Sequence, residues 1–295
     1  MKKIGIIIAV IAVVALGIFM LSGRGEKVTS SEGVNLTMVF VPASEKAESN
    51  EFEDLLKIVE KITGYTIKSI DVSDYNAAVE AMRAGRADLA WFGAKTYIQA
   101  AEIADADAFA AGIPKGKKDA SYYVYFIVPK DSPITKYSKD QLIGKGLALN
   151  HIGSTSGDLV PRYELKKFGL DTNNKEHFKF VQYAGSHDAA IMAVVNKHAD
   201  FAGVSSINYD ARVKDGTLNP EDVRIIYKAY VAPPPLAYSK KLPQKVRDNI
   251  KAAVLKAHKH GEISGYGGAM ERYIAVEDKD FNEMRNMDKV LESKI

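Results

Sequence analysis

Short apolar runs alternate with amphipathic stretches from residue 35 to residue 258, and this alternation restricts the chain to parallel β–α–β units. Residues 36–40, 66–70 and 88–92 read as strands. Between the first two, Phe52, Leu55, Leu56, Val59 and Ile62 fall on one face of a helix over 49–62, with Ser49 as its N-cap. Helices over 75–84, ended by Gly85, and over 95–104 complete a first set. A second set has strands over 122–128, 146–149, 178–182 and 200–204, with helices over 156–168, 187–198 and 206–213. A strand over 224–230 then enters Pro233-Pro234-Pro235, and 243–258 is helical. At 295 residues the chain exceeds one ordinary domain, so two α/β lobes are expected.

Each set contains the same phrase. Arg83-Ala84-Gly85-Arg86-Ala87-Asp88-Leu89-Ala90-Trp91 resembles Asn196-Lys197-His198-Ala199-Asp200-Phe201-Ala202-Gly203. In both, a helix ends, a short turn follows, and Ala-Asp leads into a buried strand. Ligands of open α/β sheets bind at the carboxyl ends of strands. Trp91-Phe92-Gly93 and Val204-Ser205-Ser206 are therefore expected on opposite sides of one cleft, between lobes that close by hinge motion.

Lys2 and Lys3 precede an apolar run over 4–21, followed by Ser22-Gly23-Arg24-Gly25. That length is just enough to cross a bilayer as a helix. Positive charge at the extreme N-terminus keeps that end in the cytoplasm and exports the remainder. No A-x-A cleavage site follows, so residues 1–25 are expected to be an uncleaved signal anchor rather than a cleaved signal peptide, with a polar linker over 26–33. The folded part would then be periplasmic or at the cell surface, tethered to the cytoplasmic membrane, or secreted if the segment is cleaved as a signal peptide. The absence of cysteine excludes disulfides, thiol catalysis, cysteine-ligated metals and a lipidated cysteine. A net charge of +3 from scattered lysines gives no nucleic-acid surface.

The segment richest in chemistry is Asn150-His151-Ile152-Gly153-Ser154-Thr155-Ser156-Gly157-Asp158. A strand hands over to a helix there, so unpaired first-turn amides and the positive end of the helix dipole face outward. Ser154, Thr155 and Ser156 add hydroxyls that adapt to the oxygens of a tetrahedral anion, and Gly153 and Gly157 would let the backbone approach it. The ordinary alternative is a plain Ser/Thr N-cap, which needs only one hydroxyl. A second strand-to-helix loop, Ala184-Gly185-Ser186-His187-Asp188, puts His187 at a helix start, where it would donate to an anion with Asp188 fixing its ring. The alternative there is a capping Ser186 beside an exposed histidine.

Ser73-Asp74-Tyr75, Asp88-Leu89-Ala90-Trp91-Phe92-Gly93, Tyr122-Tyr123-Val124, the Gly153–Gly157 segment and Gly185-Ser186-His187 occur in the order and spacing of one family. Over roughly 34–255 the chain resembles the phosphate/phosphite/phosphonate-binding periplasmic proteins of ABC importers. The resemblance implies a type II periplasmic-binding fold: lobe 1 from 34–124 plus 232–295, lobe 2 from 125–231, and hinge strands at 122–128 and 224–230. The C-terminal helices would return to lobe 1. It also implies that Ser154, Thr155 and Ser156 cradle the oxyanion, that His187 donates from the second lobe, and that Tyr75 and the Phe92-Gly93 loop close the first-lobe wall. Phe92 stands where many relatives have tyrosine. Ser44, Tyr97 and Tyr122 are further candidates. The implied partners are a small phosphorus oxyanion and a membrane permease, with the protein monomeric and no cofactor or metal. Relatives that take aminoalkylphosphonates place acids near the ligand amine, yet 204–207 and 233–235 contain none. Phosphite or a small phosphonate such as methylphosphonate is therefore expected.

An exported hydrolase is the rival enzyme class. Gly153–Gly157 centres on Thr155 rather than on the serine of a nucleophile elbow. Ser186, His187 and Asp188 are adjacent and cannot form a triad among themselves. No enzyme is expected. Two other readings use the same fold: a ligand-sensing protein reporting to a membrane kinase, and a receptor for another organic anion whose ring stacks on Trp91, Phe92 or Tyr75.

Overall fold

The computed structural model describes residues 33–293. The expected anchor over 1–25 and all but the last residue of the linker lie outside the described residues. Among the described residues no helix is long and apolar enough to cross a membrane.

The strands, in chain order, are β1 Asn35–Phe40, β2 Thr66–Asp71, β3 Leu89–Trp91, β4 Ala106–Pro114, β5 Tyr122–Pro129, β6 Lys145–Leu149, β7 Phe178–Tyr183, β8 Phe201–Ser205, β9 Val223–Val231, β10 Pro235–Ser239, β11 Ile263–Gly265 and β12 Gly268–Ala275. The longer helices are α1 Glu53–Thr63, α2 Tyr75–Arg83, α3 Ala94–Ile103, α4 Val160–Lys167, α5 His187–Val195, α6 Ser206–Lys214, α7 Gln244–Lys256 and α8 Asn282–Glu292. They build an α/β fold on two sheets. The first has the order β11-β12-β4-β10-β3-β1-β2 and the second β7-β6-β8-β5-β9. β1 runs parallel to β2 and β3, and β6 runs parallel to β7 and β8. β5 and β9 pair antiparallel along their length, Tyr122 opposite Val231. The chain thus passes to the second sheet between Pro114 and Tyr122 and returns between Val231 and Pro235.

The repeated phrase has a shared physical basis. Asp88 donates its amide to the Thr37 carbonyl at 2.8 Å, and its carboxylate accepts from the Thr37 amide at 2.8 Å. Asp200 does the same with Gly146, at 2.9 and 2.7 Å. Each aspartate therefore closes a two-bond clamp onto the neighbouring parallel strand and fixes where pairing begins. The turn before each clamp needs a left-handed residue, supplied by Gly85 at φ 70° and by Lys197 at φ 59°.

Several elements differ from the sequence reading. Ser49 does not cap α1. It lies inside a short turn, Glu48–Glu51, where its amide and hydroxyl bond the Asp71 carboxylate, and α1 begins after Phe52. β4 is rich in buried alanines (Ala106, Ala108, Ala110 and Ala111), which carry little strand propensity and so left no signal. Of the C-terminal helices, α7 packs on α1 of the first half, whereas α8 lies against both α3 and α4, one from each half. The Lys166 ammonium ties α8 to α4 through the Val290 carbonyl at 2.8 Å.

Replacing Asp200 by alanine would leave the Gly146 amide without its partner. We expect Asp200→Ala to lower unfolding free energy by about 1–3 kcal/mol, measured by denaturant titration. An unchanged midpoint would contradict the clamp.

Candidate functional site

The segments that follow β1, β3 and β6 meet the starts of α2, α3 and α5 at one small cavity between the two sheets. It is lined by Val41, Ala43, Tyr75, Trp91, Gly93, Tyr122, Ser154, Thr155, Ser156, His187, Pro234 and Tyr266 and has a volume of about 20 Å³. That is room for a water molecule and little more. A larger cleft of about 380 Å³, lined by Lys117, Lys118, Asp210 and Lys214 among others, lies across Tyr122 and Tyr266. It carries scattered charges of both signs, whereas the small cavity gathers convergent donors and is the candidate site.

After β6 the chain enters a π-helical turn, Thr155–Leu159, before α4. Ser154 caps this turn: its hydroxyl accepts from the Gly157 amide at 3.0 Å. The amides of Thr155 and Ser156 come first in the turn, where a helix offers them no acceptor. The Ser156 hydroxyl lies 3.2 Å from His187 Nε2, and that of Ser154 lies 3.5 Å from it. Thr155 Oγ1 accepts from the Lys95 amide at 2.9 Å, a bond that crosses from the second half to the first. Because its oxygen accepts there, its proton remains available for another acceptor.

His187 is buried at the start of α5, below Ser186, which caps that helix by accepting from the Ala189 amide at 3.0 Å. Its Nδ1 accepts from the Ser205 amide at 3.1 Å, which leaves the ring proton on Nε2. Burial holds its pKa down at about 3, so the ring is neutral and Nε2–H is a donor at neutral pH. Asp188 does not orient it. That carboxylate pairs with Arg212 at 3.4 Å and accepts from the Glu45 amide at 3.2 Å. The two glycines also differ from expectation. A Cβ on Gly153 would meet the Tyr75 Cβ at 2.5 Å, and one on Gly157 would meet the Asn150 Cβ at 2.3 Å. Their missing side chains make room for protein neighbours.

The structure therefore brings together Tyr75, Gly93, Tyr122, Ser154, Thr155, Ser156 and His187. The Tyr75 hydroxyl accepts from Asn150 Nδ2 at 3.4 Å, and its ring stacks on His151 at 4.9 Å. Burial pushes the phenols of Tyr75 and Tyr122 well above their ordinary range, so both stay protonated. Ser44, Phe92 and Tyr97 lie outside the cavity lining. Side chains alternate at the end of β3, so Trp91 and Gly93 line the cavity while Phe92 is buried away from it. The Ser44 hydroxyl is occupied by the Lys46 backbone, and Ala43 lines the wall instead. Tyr97 donates to Asp278 at 2.6 Å and packs on Phe281 within the first half. The sequence reading missed Tyr266, whose hydroxyl bonds Ser205 and Asn208 and whose ring packs on Trp91. Its setting, Gly265-Tyr266-Gly267-Gly268, is a hairpin signal between β11 and β12 that marks a presented side chain.

Glu48, also missed, is buried behind this wall. One carboxylate oxygen accepts from the Ser44 amide at 2.8 Å, and the other has no partner among the described residues. Burial raises its pKa to about 8, with a smaller contribution from Glu51. Between pH 4.5 and 8 the folded chain therefore holds a proton that the unfolded chain has lost, so this group's contribution to stability falls as pH rises through that window. Glu48→Gln keeps the Ser44 bond without ionising. We expect the variant to gain stability on the parent steadily from pH 4.5 to 8 in urea titrations; a pH-independent difference would refute the assignment.

A family profile described as "ABC transporter, phosphonate, periplasmic substrate-binding protein" matches residues 38–281. The chain is similar to the phosphonates-binding periplasmic protein of Escherichia coli K12, 28% identical over 207 residues. That match covers 68% of this chain and 59% of the Escherichia coli protein's length. It is also similar to the phosphate-import protein PhnD of Mycolicibacterium smegmatis, 28% identical over 233 residues, covering 76% of this chain and 72% of that one. Among solved structures, PhnD1 from Prochlorococcus marinus in complex with methylphosphonate shares the fold with a TM-score of 0.74 at 21% identity, covering 87% of this chain and 98% of that chain. The profile runs from within β1 to Phe281, just before the last helix, and so takes in both sheets and every residue lining the cavity. The chain belongs to the periplasmic phosphonate substrate-binding proteins of ABC transporters.

Proposed function

We propose that this protein captures a compact tetrahedral phosphorus oxyanion, phosphite or methylphosphonate, between two lobes of a type II binding fold and delivers it to a membrane permease. The lobes are residues 34–124 plus 232–295 and residues 125–231, hinged at β5 and β9, with the apolar run over 4–21 tethering the whole to the membrane. The observation that carries this reading is convergence. The Thr155 proton, the Ser156 hydroxyl, His187 Nε2–H and two first-turn amides meet at a 20 Å³ cavity whose lining includes no charged side chain. Neutral dipoles fixed in place replace the hydration shell of an anion without a countercharge.

Asp210, the acid of α6, supports the same preference. It lines the larger cleft rather than the cavity, and Lys117 and Lys228 already act on it electrostatically. An ammonium tail would find no free carboxylate partner there, and burying it would be costly.

Two measurements test the proposal. Calorimetric titration with phosphite, methylphosphonate, phosphate, 2-aminoethylphosphonate and sulfate should rank the first two tightest; tighter binding of the aminophosphonate would overturn the specificity. Gly93→Ala puts a Cβ 2.9 Å from Thr155 Oγ1 at a backbone conformation that alanine adopts freely. It should weaken binding of the preferred anion at least about tenfold, roughly 1.4 kcal/mol. Wild-type affinity in that variant would place the anion elsewhere.

A further inference from the structure

A lysine in the first turn of a helix is electrostatically misplaced, because the macrodipole makes that end positive. Lys95 holds this position in α3, directly after the uncapped start at Gly93 and Ala94. Its side chain crosses to the other half. There its ammonium donates to the Ile152 carbonyl at 2.7 Å and to Asp158 Oδ2 at 2.7 Å. Its neighbour Thr96 donates across the same boundary to the Gly153 carbonyl at 2.9 Å.

Asp158 is fully buried within the π turn that presents Thr155 and Ser156. Its other partners are the Tyr183 hydroxyl at 2.6 Å and Arg162 at 3.8 Å. Arg162 is also engaged by Thr172 and Asn173, and Asp288 of α8 faces the same group of charges. Without Lys95, a buried carboxylate next to an anion site would have one hydroxyl and one distant guanidinium to balance it. That is unfavourable in itself and adverse to any anion bound at the turn.

We propose that Lys95 is a positioning residue for ligand capture. It enters from the first half on closure, neutralises Asp158 beneath the oxyanion turn, and so sets how long the closed complex persists. It does not touch the anion: its ammonium is spent on Ile152 and Asp158, and its amide on Thr155. Loss of the pair therefore acts on release and leaves encounter with the open form unchanged.

The inference rests on the oxyanion-capture reading, and the test separates the two. Trp91 is the sole tryptophan and lines the cavity, so stopped-flow fluorescence follows binding of methylphosphonate and phosphite directly. Lys95→Met should release the anion at least about tenfold faster, with association within about threefold of wild type, and Lys95→Arg should recover most of the loss. A second arm needs no ligand. The chain has no native cysteine, so spin labels at Lys61→Cys and Lys175→Cys, both exposed and one in each half, report the distance between halves. In ligand-free protein, Lys95→Met and high salt should each shift that distance distribution outward. Unchanged release together with an unchanged distribution would overturn the proposal, as would a loss carried wholly by slower association. If wild type binds neither anion, the capture reading fails, and the distance arm still judges the ion pair.

Discussion

The site is organised around one hydroxyl that faces two ways. Thr155 Oγ1 accepts from the Lys95 amide, satisfying a donor that α3 cannot satisfy itself, while its proton remains for a guest in the cavity. The contact depends on the missing Cβ of Gly93, and the packing of Tyr75 depends on the missing Cβ of Gly153. The wall of the cavity and the seam between the two halves are consequently the same atoms. A change that loosens one loosens the other, which the larger cleft nearby does not share.

Much of this was legible in the sequence because the chemistry is local. Three hydroxyls between two glycines at a strand-to-helix handover announce a helix start, and the structure builds one there. His187 was legible as a helix-start residue. Its tautomer was not, because the amide that fixes it comes from Ser205, eighteen residues on and in another strand. The same limit explains the residues that moved out of the lining. Whether Phe92 or its neighbours face the cavity is decided by one step of strand alternation, and Tyr97 is drawn to Asp278 from far along the chain. Tyr266 reaches the cavity only through the pairing of β11 with β12, and β4 is hidden by its alanines, which pack well but signal little.

The two halves share more than a layer order. Asp88 and Asp200 each clamp a parallel neighbour through amide and carboxylate together, after turns of matching left-handed geometry. Each clamp sits at the start of a strand whose far end serves the cavity: β3 puts Trp91 in its lining, and β8 ends at Ser205, which bonds the lining residues His187 and Tyr266. Register is thereby set at one end and function displayed at the other. The substitution of lysine for glycine at the second turn is tolerated within the same bonding pattern, with the Lys197 ammonium held by Asp131 at 2.6 Å.

Two strands of chain join the halves, but α8 makes a third connection by lying across α3 and α4. A pair of crossovers alone leaves several axes of rotation open. With α8 in place, any separation of the halves would also have to break or slide one of its two helix contacts. Lys166 holds the end of α8 from the second half, and the opposite contact of α8 is with α3, the helix whose start carries Lys95.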